Sequence, residues 1–347
     1  MADFVPEDLS AEQYGISVLP CLTGAAVSVA LIRSGPLAFF FLIPLGVVAA
    51  SYNRRTAWAT VLAAVGINVL ISLGLSVIVG FDFGAFVLGI FYFTLMITAF
   101  VWILSPPVFG PAFLRIRTVY RFVLASAAGA LMFLGIAYVS ERNNSGFTAI
   151  LRSQAEMLSS FYIASAGTDA VQQSFLERQM TPDKIMAVMN FIALRGGALV
   201  SSMVMFYINR RLACSFAVLI RHIPPKPGLR DFHAPVQLIW VLSFSILGVL
   251  LAQVLKSSIL GIAAWNMLVL CAMVYLAQGG GIIQYFLARQ NFSPFMRLMF
   301  NVLIILLILS PGINALALGA VILLGIAENW VPLRTPKLNG PPSTPAA

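Results

Sequence analysis

GAFVLGIFYFTLMITAFVWIL, residues Gly84 to Leu104, carries no charge and no proline over 21 residues. A helix needs about 20 apolar residues to cross a hydrocarbon core of roughly 30 Å. The run is continuous and does not alternate, so it does not read as a half-buried strand. Backbone exposed to lipid must satisfy its own hydrogen bonds, which leaves a helix as the spanning form. Working outward from this stretch, similar runs recur at 15–32, 36–50, 57–79, 122–139, 186–208, 236–255, 260–282, 298–310 and 313–329. With 84–104 they make ten crossings, of which the second, ninth and tenth are short. The chain is 60% hydrophobic and 10% charged, whereas a soluble domain carries about 25% charged residues. The fold class is therefore all-α: a polytopic transmembrane helical bundle, forming a single domain over 1–334 with a disordered tail at 335–347.

Charge sets the expected orientation. Place Arg54 and Arg55 in the cytoplasm and every second loop follows. Arg115, Arg117, Arg121, Arg210, Arg211, Arg221, Lys226, Arg230, Arg289, Arg297, Arg334 and Lys337 then share that side, which takes 14 of the 21 basic residues. Arg33, Arg142, Arg152, Arg178, Lys184 and Lys256 fall opposite, and Arg195 lies inside a crossing. Short cytoplasmic loops carry the Lys/Arg excess in membrane proteins, so both termini are expected in the cytoplasm of a bacterial inner membrane. The net charge of +9 follows from this topology and suits anionic lipid at the inner face. Nucleic acid is not an expected partner, because no soluble basic and aromatic patch exists. Asp3, Glu7, Asp8 and Glu12 precede the first crossing without a basic residue. A signal peptide wants a basic n-region and a small-residue cleavage site, so the segment is expected to be retained.

Between crossings, Ser34-Gly35-Pro36 predicts a tight turn and Pro44 a kink in the short second segment. Phe81 to Gly84 reads as an outside turn, and 105–121 as an inside loop with apolar Val108, Phe109, Phe113 and Leu114. From Ser140 to Lys184 the composition becomes ordinary. Phe147, Ile150, Leu151, Gln154, Met157, Leu158, Phe161 and Tyr162 there follow helical spacing, predicting an outside amphipathic helix. Thr181-Pro182 reads as a helix start, with proline in the first turn. Asn209-Arg210-Arg211 is a basic exit followed by amphipathic Leu212, Phe216, Leu219 and Ile220. The proline-rich His222 to Gly228 stretch ends that helix.

No catalytic constellation emerges. Asp82 sits in a turn. Glu141, Glu156, Asp169, Glu177 and Asp183 lie in the outside segment, Asp231 in a loop, and Glu328 at the last membrane boundary. No carboxylate occupies mid-bilayer, where proton relays often keep one, so catalytic residues are none and the protein is not expected to be an enzyme. Cys21, Cys214 and Cys271 show no metal spacing or disulfide pairing, and His222 and His233 lack the i, i+4 spacing of a helix-borne zinc site. No metal and no cofactor are expected. Arg195 stands out, about ten residues into the sixth crossing within Ala193-Leu194-Arg195-Gly196-Gly197. An arginine at mid-bilayer costs about 3 kcal/mol on insertion scales. Its partner is expected to be backbone carbonyls freed by the glycine pair, water in a cavity or an anionic ligand, unless the crossing starts near Ile192 and the side chain snorkels to the outer surface. Gln278 and Asn266 are the other ligand candidates, the former opening Gln278-Gly279-Gly280-Gly281. Such glycines allow close helix packing or an unwound turn. Asn68, Asn190, Gln253, Asn301 and Gln284 read as interhelical hydrogen bonds. Ala26 and Ala30 give the first crossing a small-xxx-small step suited to a partner helix.

Three strings in the C-terminal third are Leu229 to Leu242 (LRDFHAPVQLIWVL), Trp265 to Leu287 (WNMLVLCAMVYLAQGGGIIQYFL) and Leu324 to Arg334 (LGIAENWVPLR). They resemble the YybS-like family of bacterial membrane proteins. That family shows an aromatic residue before a proline and a tryptophan at a helix start, matched by Phe232, Pro235 and Trp240. Its Asn, Tyr and Gln-Gly helix is matched by Asn266, Tyr275, Gln278 and Gly279. Its Gly, acid-Asn-Trp and Arg finish is matched by Gly325, Glu328, Asn329, Trp330 and Arg334. The resemblance extends distantly to the substrate-capture subunits of energy-coupling-factor vitamin transporters, six-helix bundles whose first helix meets a transmembrane coupling subunit. It implies transport-related binding of a small-molecule solute, with membrane lipid and a transmembrane coupling subunit as partners and Ala26 and Ala30 at the contact. A non-catalytic scaffold that recruits protein partners is the alternative expectation.

Overall fold

A computed structural model describes residues 15–79, 83–105, 118–142, 146–165, 174, 177–221, 229–290, 292–310 and 313–334. The N-terminal acids Asp3 to Glu12, the Phe81-Asp82 turn, Arg115, Arg117, Asp169, the His222 to Gly228 breaker and the 335–347 tail lie outside the described residues, as does most of the 105–121 loop. Among the described residues all regular structure is helical. The chain divides into two compact units, Met1–Pro225 and Lys226–Ala347.

The first unit holds α1 (Val18–Arg33), α2 (Ile43–Ser51), α3 (Arg54–Val79), α4 (Phe83–Leu104), α5 (Thr118–Arg142), α6 (Gly146–Ser165), α7 (Pro182–Ile192) and α8 (Ala198–Arg221). Hydrogen bonds fix their directions. Asn53 Oδ1 accepts from the Thr56 N–H at 2.8 Å, capping the start of α3. Its Nδ2 donates to the Gly15 carbonyl at 2.7 Å, and the Ser17 N–H donates to Thr56 Oγ1 at 3.1 Å. At the other end of α1, Arg33 Nη2 donates to Asn68 Oδ1 at 2.9 Å and to the Ser72 hydroxyl. The Ser17–Thr56 and Arg33–Ser72 pairings share one sequence offset of 39, so α1 and α3 run parallel in register. The chain between them, a 3₁₀ turn at Ala38–Phe40 followed by α2, returns over the same height. The turn that reverses it contains Gly35 at φ 70°, a conformation glycine adopts without strain. Pro44 is the second residue of α2. Its missing N–H costs nothing there, so it starts this helix and does not kink it as the sequence suggested.

Helix α4 comes back antiparallel to α3, since Trp58 Nε1 donates to the Ser105 carbonyl at 3.2 Å. The first turn of α5 then covers that end. Buried Arg121 donates from Nη1 to the Trp102 carbonyl at 2.6 Å, an acceptor that the last turn of α4 leaves open. Helix α8 runs parallel to α2. Asn209 Nδ2 donates to the carbonyl of Phe39 in the 3₁₀ turn at 2.9 Å, and further along the chain, in α2, a Cβ on Gly46 would meet the Ala213 Cβ at 2.5 Å. One end of the unit therefore gathers Ser17, Arg54, Arg55, Ser105, Thr118 and the C-terminus of α8, while Arg33 marks the other. Among the described residues of this unit, Arg54, Arg55 and Arg121 are gathered at the Ser17 end by helix direction itself. Phe41, Leu42, Leu45, Phe93, Ile97, Phe100 and Phe206 fill the interior.

The expected amphipathic helix is α6. Ala155 and Ser159 are buried, and the Ser159 hydroxyl donates to the Met180 carbonyl at 2.5 Å. Met157 and Phe161 stay exposed. Thr181 precedes α7 in an extended conformation with Pro182 at the first helical position, the start that the sequence predicts.

The second unit contains α9 (Leu238–Val254), α10 (Ser258–Arg289), α11 (Pro294–Leu309) and α12 (Asn314–Ala327). Its α9–α10 connection is a tight hairpin. Lys256 takes φ 50°, the Ser257 N–H returns to the Ala252 carbonyl, and the Ser257 hydroxyl accepts from the Leu260 N–H to cap α10. Five described segments are long and apolar enough to cross a membrane: Arg54–Leu75, Phe86–Leu104, Thr118–Val139, Pro182–Ile220 and Ser258–Arg289. Val18–Arg33, Ala38–Ser51, Leu238–Val254 and Asn314–Ala327 are shorter apolar helices.

Candidate functional site

Two places concentrate polar chemistry, one in each unit. In the first unit, α7 and α8 are joined by a π turn at Ala193–Gly197 in which Arg195 (φ −99°, ψ 32°) and Gly196 (φ 119°, ψ −15°) leave helical geometry. The glycine pair makes this break. Gly196 occupies a backbone region that side chains avoid, and a Cβ on Gly197 would lie 2.8 Å from the Ile192 carbonyl oxygen. Half-buried Arg195 stacks its guanidinium 3.8 Å from the centroid of the Phe191 ring, one turn back. Depth follows from packing: a Cβ on Gly129, midway along the α5 span, would sit 3.3 Å from Ser202 Oγ. Arg195 is seven residues earlier than Ser202, about 10 Å toward the end of the unit marked by Arg33. It is thus off the middle and in the outer third of the span. A helix break with an arginine beside the first turn of a long helix directs positive potential at one spot.

In the second unit, α10 and α12 pack backbone against backbone. A Cβ on Gly279 would collide with the Val321 carbonyl oxygen, one on Gly325 with that of Tyr275, and one on Gly281 with that of Leu229. The close approach brings three chain segments to Gln278. Its Oε1 accepts from the Ala234 N–H at 2.9 Å and its Nε2 donates to Glu328 Oε2 at 2.9 Å. Arg334 closes the cluster: Nε donates to Glu328 Oε1 at 2.6 Å, Nη1 to the Arg230 carbonyl and Nη2 to the Phe232 carbonyl, each at 2.7 Å, and Nη2 also pairs with Glu328 Oε2. The Arg334 and Glu328 side chains are 4% and 5% exposed. A buried charge pair survives only with such complete hydrogen bonding. Glu328 follows the last residue of α12. Burial alone would push its carboxyl up. The bonds from Arg334 and Gln278, with the nearby Arg334 and His233 charges, outweigh that and hold it below the usual carboxylate range. Asn329 adds a bond to the Tyr275 hydroxyl at 3.4 Å. The cluster is a closed lock that fixes residues 229–235 and 328–334 onto α10.

The predicted ligand residues are thus not equivalent. Both polar ends of Gln278 are committed to the lock. Asn266 lies twelve residues away on α10, about 18 Å along the axis, and donates to the Ile262 carbonyl of its own helix at 2.8 Å. Arg195 belongs to the other unit. Ala26 and Ala30 are exposed on α1, whereas Gly24, Ala25, Ser28 and Val29 face inward. Sequence reasoning missed the Glu328–Arg334 pair and the carbonyls of Arg230 and Phe232. The available signal was an acid and an arginine straddling the end of an apolar helix with glycines in the facing one. Among the described residues no group of His, Cys, Asp and Glu could hold a metal ion.

A chain whose described regular structure is all helical, with several apolar helices of bilayer length, is an integral multi-pass membrane protein. The chain belongs to the family described as predicted membrane protein (DUF2232), which it matches over residues 25–327. No curated protein and no solved structure matches it.

Proposed function

We propose that this membrane protein binds a small anionic solute at the broken helix around Arg195 as part of a transport process, without catalysing a reaction. The observation that carries the reading is the helix break itself. Irregular backbone at membrane depth is tolerated where it is buried in protein or lines a cavity, and transporters use such breaks to aim helix ends at charged substrates. Arg195 sits in that break, its guanidinium stacked on Phe191. The reading centres on Arg195: Gln278 already bonds Ala234 and Glu328 in the lock, and Asn266 donates to the Ile262 carbonyl of its own helix.

In the same proposal the chain makes ten crossings of a bacterial inner membrane with both termini in the cytoplasm. The in-register α1–α3 pair supports the short second crossing, because the chain must return between them. Kinship with YybS-like proteins, and through them with vitamin-capture subunits, gives a transmembrane coupling subunit as partner. The outward position of Ala26 and Ala30 supports that docking face. Arg195→Ala tests the site: ligand-induced thermal stabilisation by a panel of small carboxylates and phosphates should disappear. Stabilisation that survives the substitution unchanged removes the anion site. The scaffold reading draws support from exposed Met157 and Phe161 on α6. Pull-downs that lose a partner when both become Ser would favour it.

A further inference from the structure

The geometry points to a second, separate binding surface: Tyr207, Arg210 and Arg211 on α8 hold the phosphate of an anionic phospholipid at the arginine-rich end of the first unit. The three residues sit at i, i+3 and i+4, on one helix face. Tyr207 and Arg211 are exposed and Arg210 is half-buried. Their height is what calls for an anion. Asn209 bonds the Phe39 carbonyl, and Ala213 lies against Gly46. Arg210 and Arg211 are therefore level with the stretch of α2 between those residues. That is more than six residues, about 9 Å or more, inside the end of α2 at Tyr52. Two guanidiniums at that depth are costly without a counter-charge.

No described carboxylate of this unit supplies it. Of the described carboxylates of this unit, Glu141 lies in the last turn of α5 and Glu156, Glu177 and Asp183 in the segment that follows, all beyond the opposite end. The surroundings choose the kind of anion. Phe216, Leu219 and Ile220 are exposed on the C-terminal side, and Val204 and Ile208 are half-buried on the N-terminal side. A basic island within apolar surface fits a phosphate that carries its own acyl chains. Arginine binds phosphate in a planar, two-pronged manner, and a phenol hydroxyl can donate to the same group.

Native mass spectrometry of the full chain reads the claim directly, with phosphatidylglycerol and phosphatidylcholine of matched acyl chains as probes. Wild type should retain phosphatidylglycerol preferentially. Arg210→Gln/Arg211→Gln should weaken it on the order of 100-fold, the loss expected for two charge-assisted hydrogen bonds to phosphate, while phosphatidylcholine binding stays put. Arg54→Gln/Arg55→Gln removes the same charge from the exposed end of the unit, where it is screened, and should change the preference by less than about threefold. Equal losses in the two double variants would mean diffuse attraction and overturn the site. So would full competition by inorganic phosphate at matched concentration, or an unaltered preference in the α8 variant. Arg210→Lys/Arg211→Lys, which keeps the charge, covers the case in which the glutamines impair folding: retention midway between wild type and the phosphatidylcholine level is expected, and retention at the phosphatidylcholine level refutes the proposal.

Discussion

Glu328→Gln changes one oxygen to an amide in a place where solvent cannot compensate. The side chains of Glu328 and Arg334 are 5% and 4% exposed, so the substitution leaves a guanidinium charge buried without its counter-charge. Removing one partner of such a pair costs about 3–5 kcal/mol. Arg334 keeps its bonds to the Arg230 and Phe232 carbonyls, which places the expected loss near the lower bound, about 3 kcal/mol. Glu328→Gln/Arg334→Met leaves no buried charge and should cost less than the two single changes summed, by about 2 kcal/mol or more. Reversible unfolding of the full chain in mixed micelles, followed by circular dichroism, measures all three. A single variant within about 1 kcal/mol of wild type, the range of an exposed pair, would refute the lock. So would strict additivity. The same pair gives an acid dependence. Because the Glu328 carboxyl is held below its ordinary range, its contribution is complete above about pH 4.3, the unfolded value, and drains as pH falls through the folded one. Glu328→Gln should lack that phase.

The three glycines after Gln278 should respond differently to alanine. Gly279→Ala and Gly281→Ala drive a Cβ into the Val321 and Leu229 carbonyl oxygens and should lower stability by about 1–3 kcal/mol or prevent folding. Gly280→Ala meets nothing within 4 Å and should raise it by about 1 kcal/mol; thermal denaturation in detergent ranks the set. Lys256→Gly relieves a left-handed backbone at φ 50° and should stabilise by about 1 kcal/mol, where a loss would mean that the lysine side chain contributes more than the strain.

Hydropathy made the helices readable because the bilayer sets one length for every crossing: the predicted runs fall on helical chain, although 36–50 divides into a 3₁₀ turn and α2, and 186–208 breaks at Ala193–Gly197. Charge was readable for the same reason: Arg54, Arg55 and Arg121 share an end because α3, α4 and α5 alternate in direction. Pro44 misled, since a proline reads the same at the first turn of a short helix as at a kink in a longer one. Arg195 was visible as an anomaly, but its depth depends on how α8 slides along α5, which is set by the Gly129–Ser202 contact and by nothing local. Gln278 looked like a free intramembrane amide because its partners, Ala234 and Glu328, are 44 and 50 residues away in sequence. The glycines announced close packing correctly and left its partner unnamed.

Sidedness is the most direct test of the whole account. With Cys21, Cys214 and Cys271 replaced by Ala, a single cysteine goes in place of Gly35, at the turn after α1, or of Asn53, ahead of α3, in intact cells. An impermeant maleimide should label the Gly35→Cys position from outside and reach the Asn53→Cys position only after the membrane is opened. The reverse pattern, or equal labelling of both without permeabilisation, would contradict a bundle that spans the bilayer with its arginine-rich end in the cytoplasm.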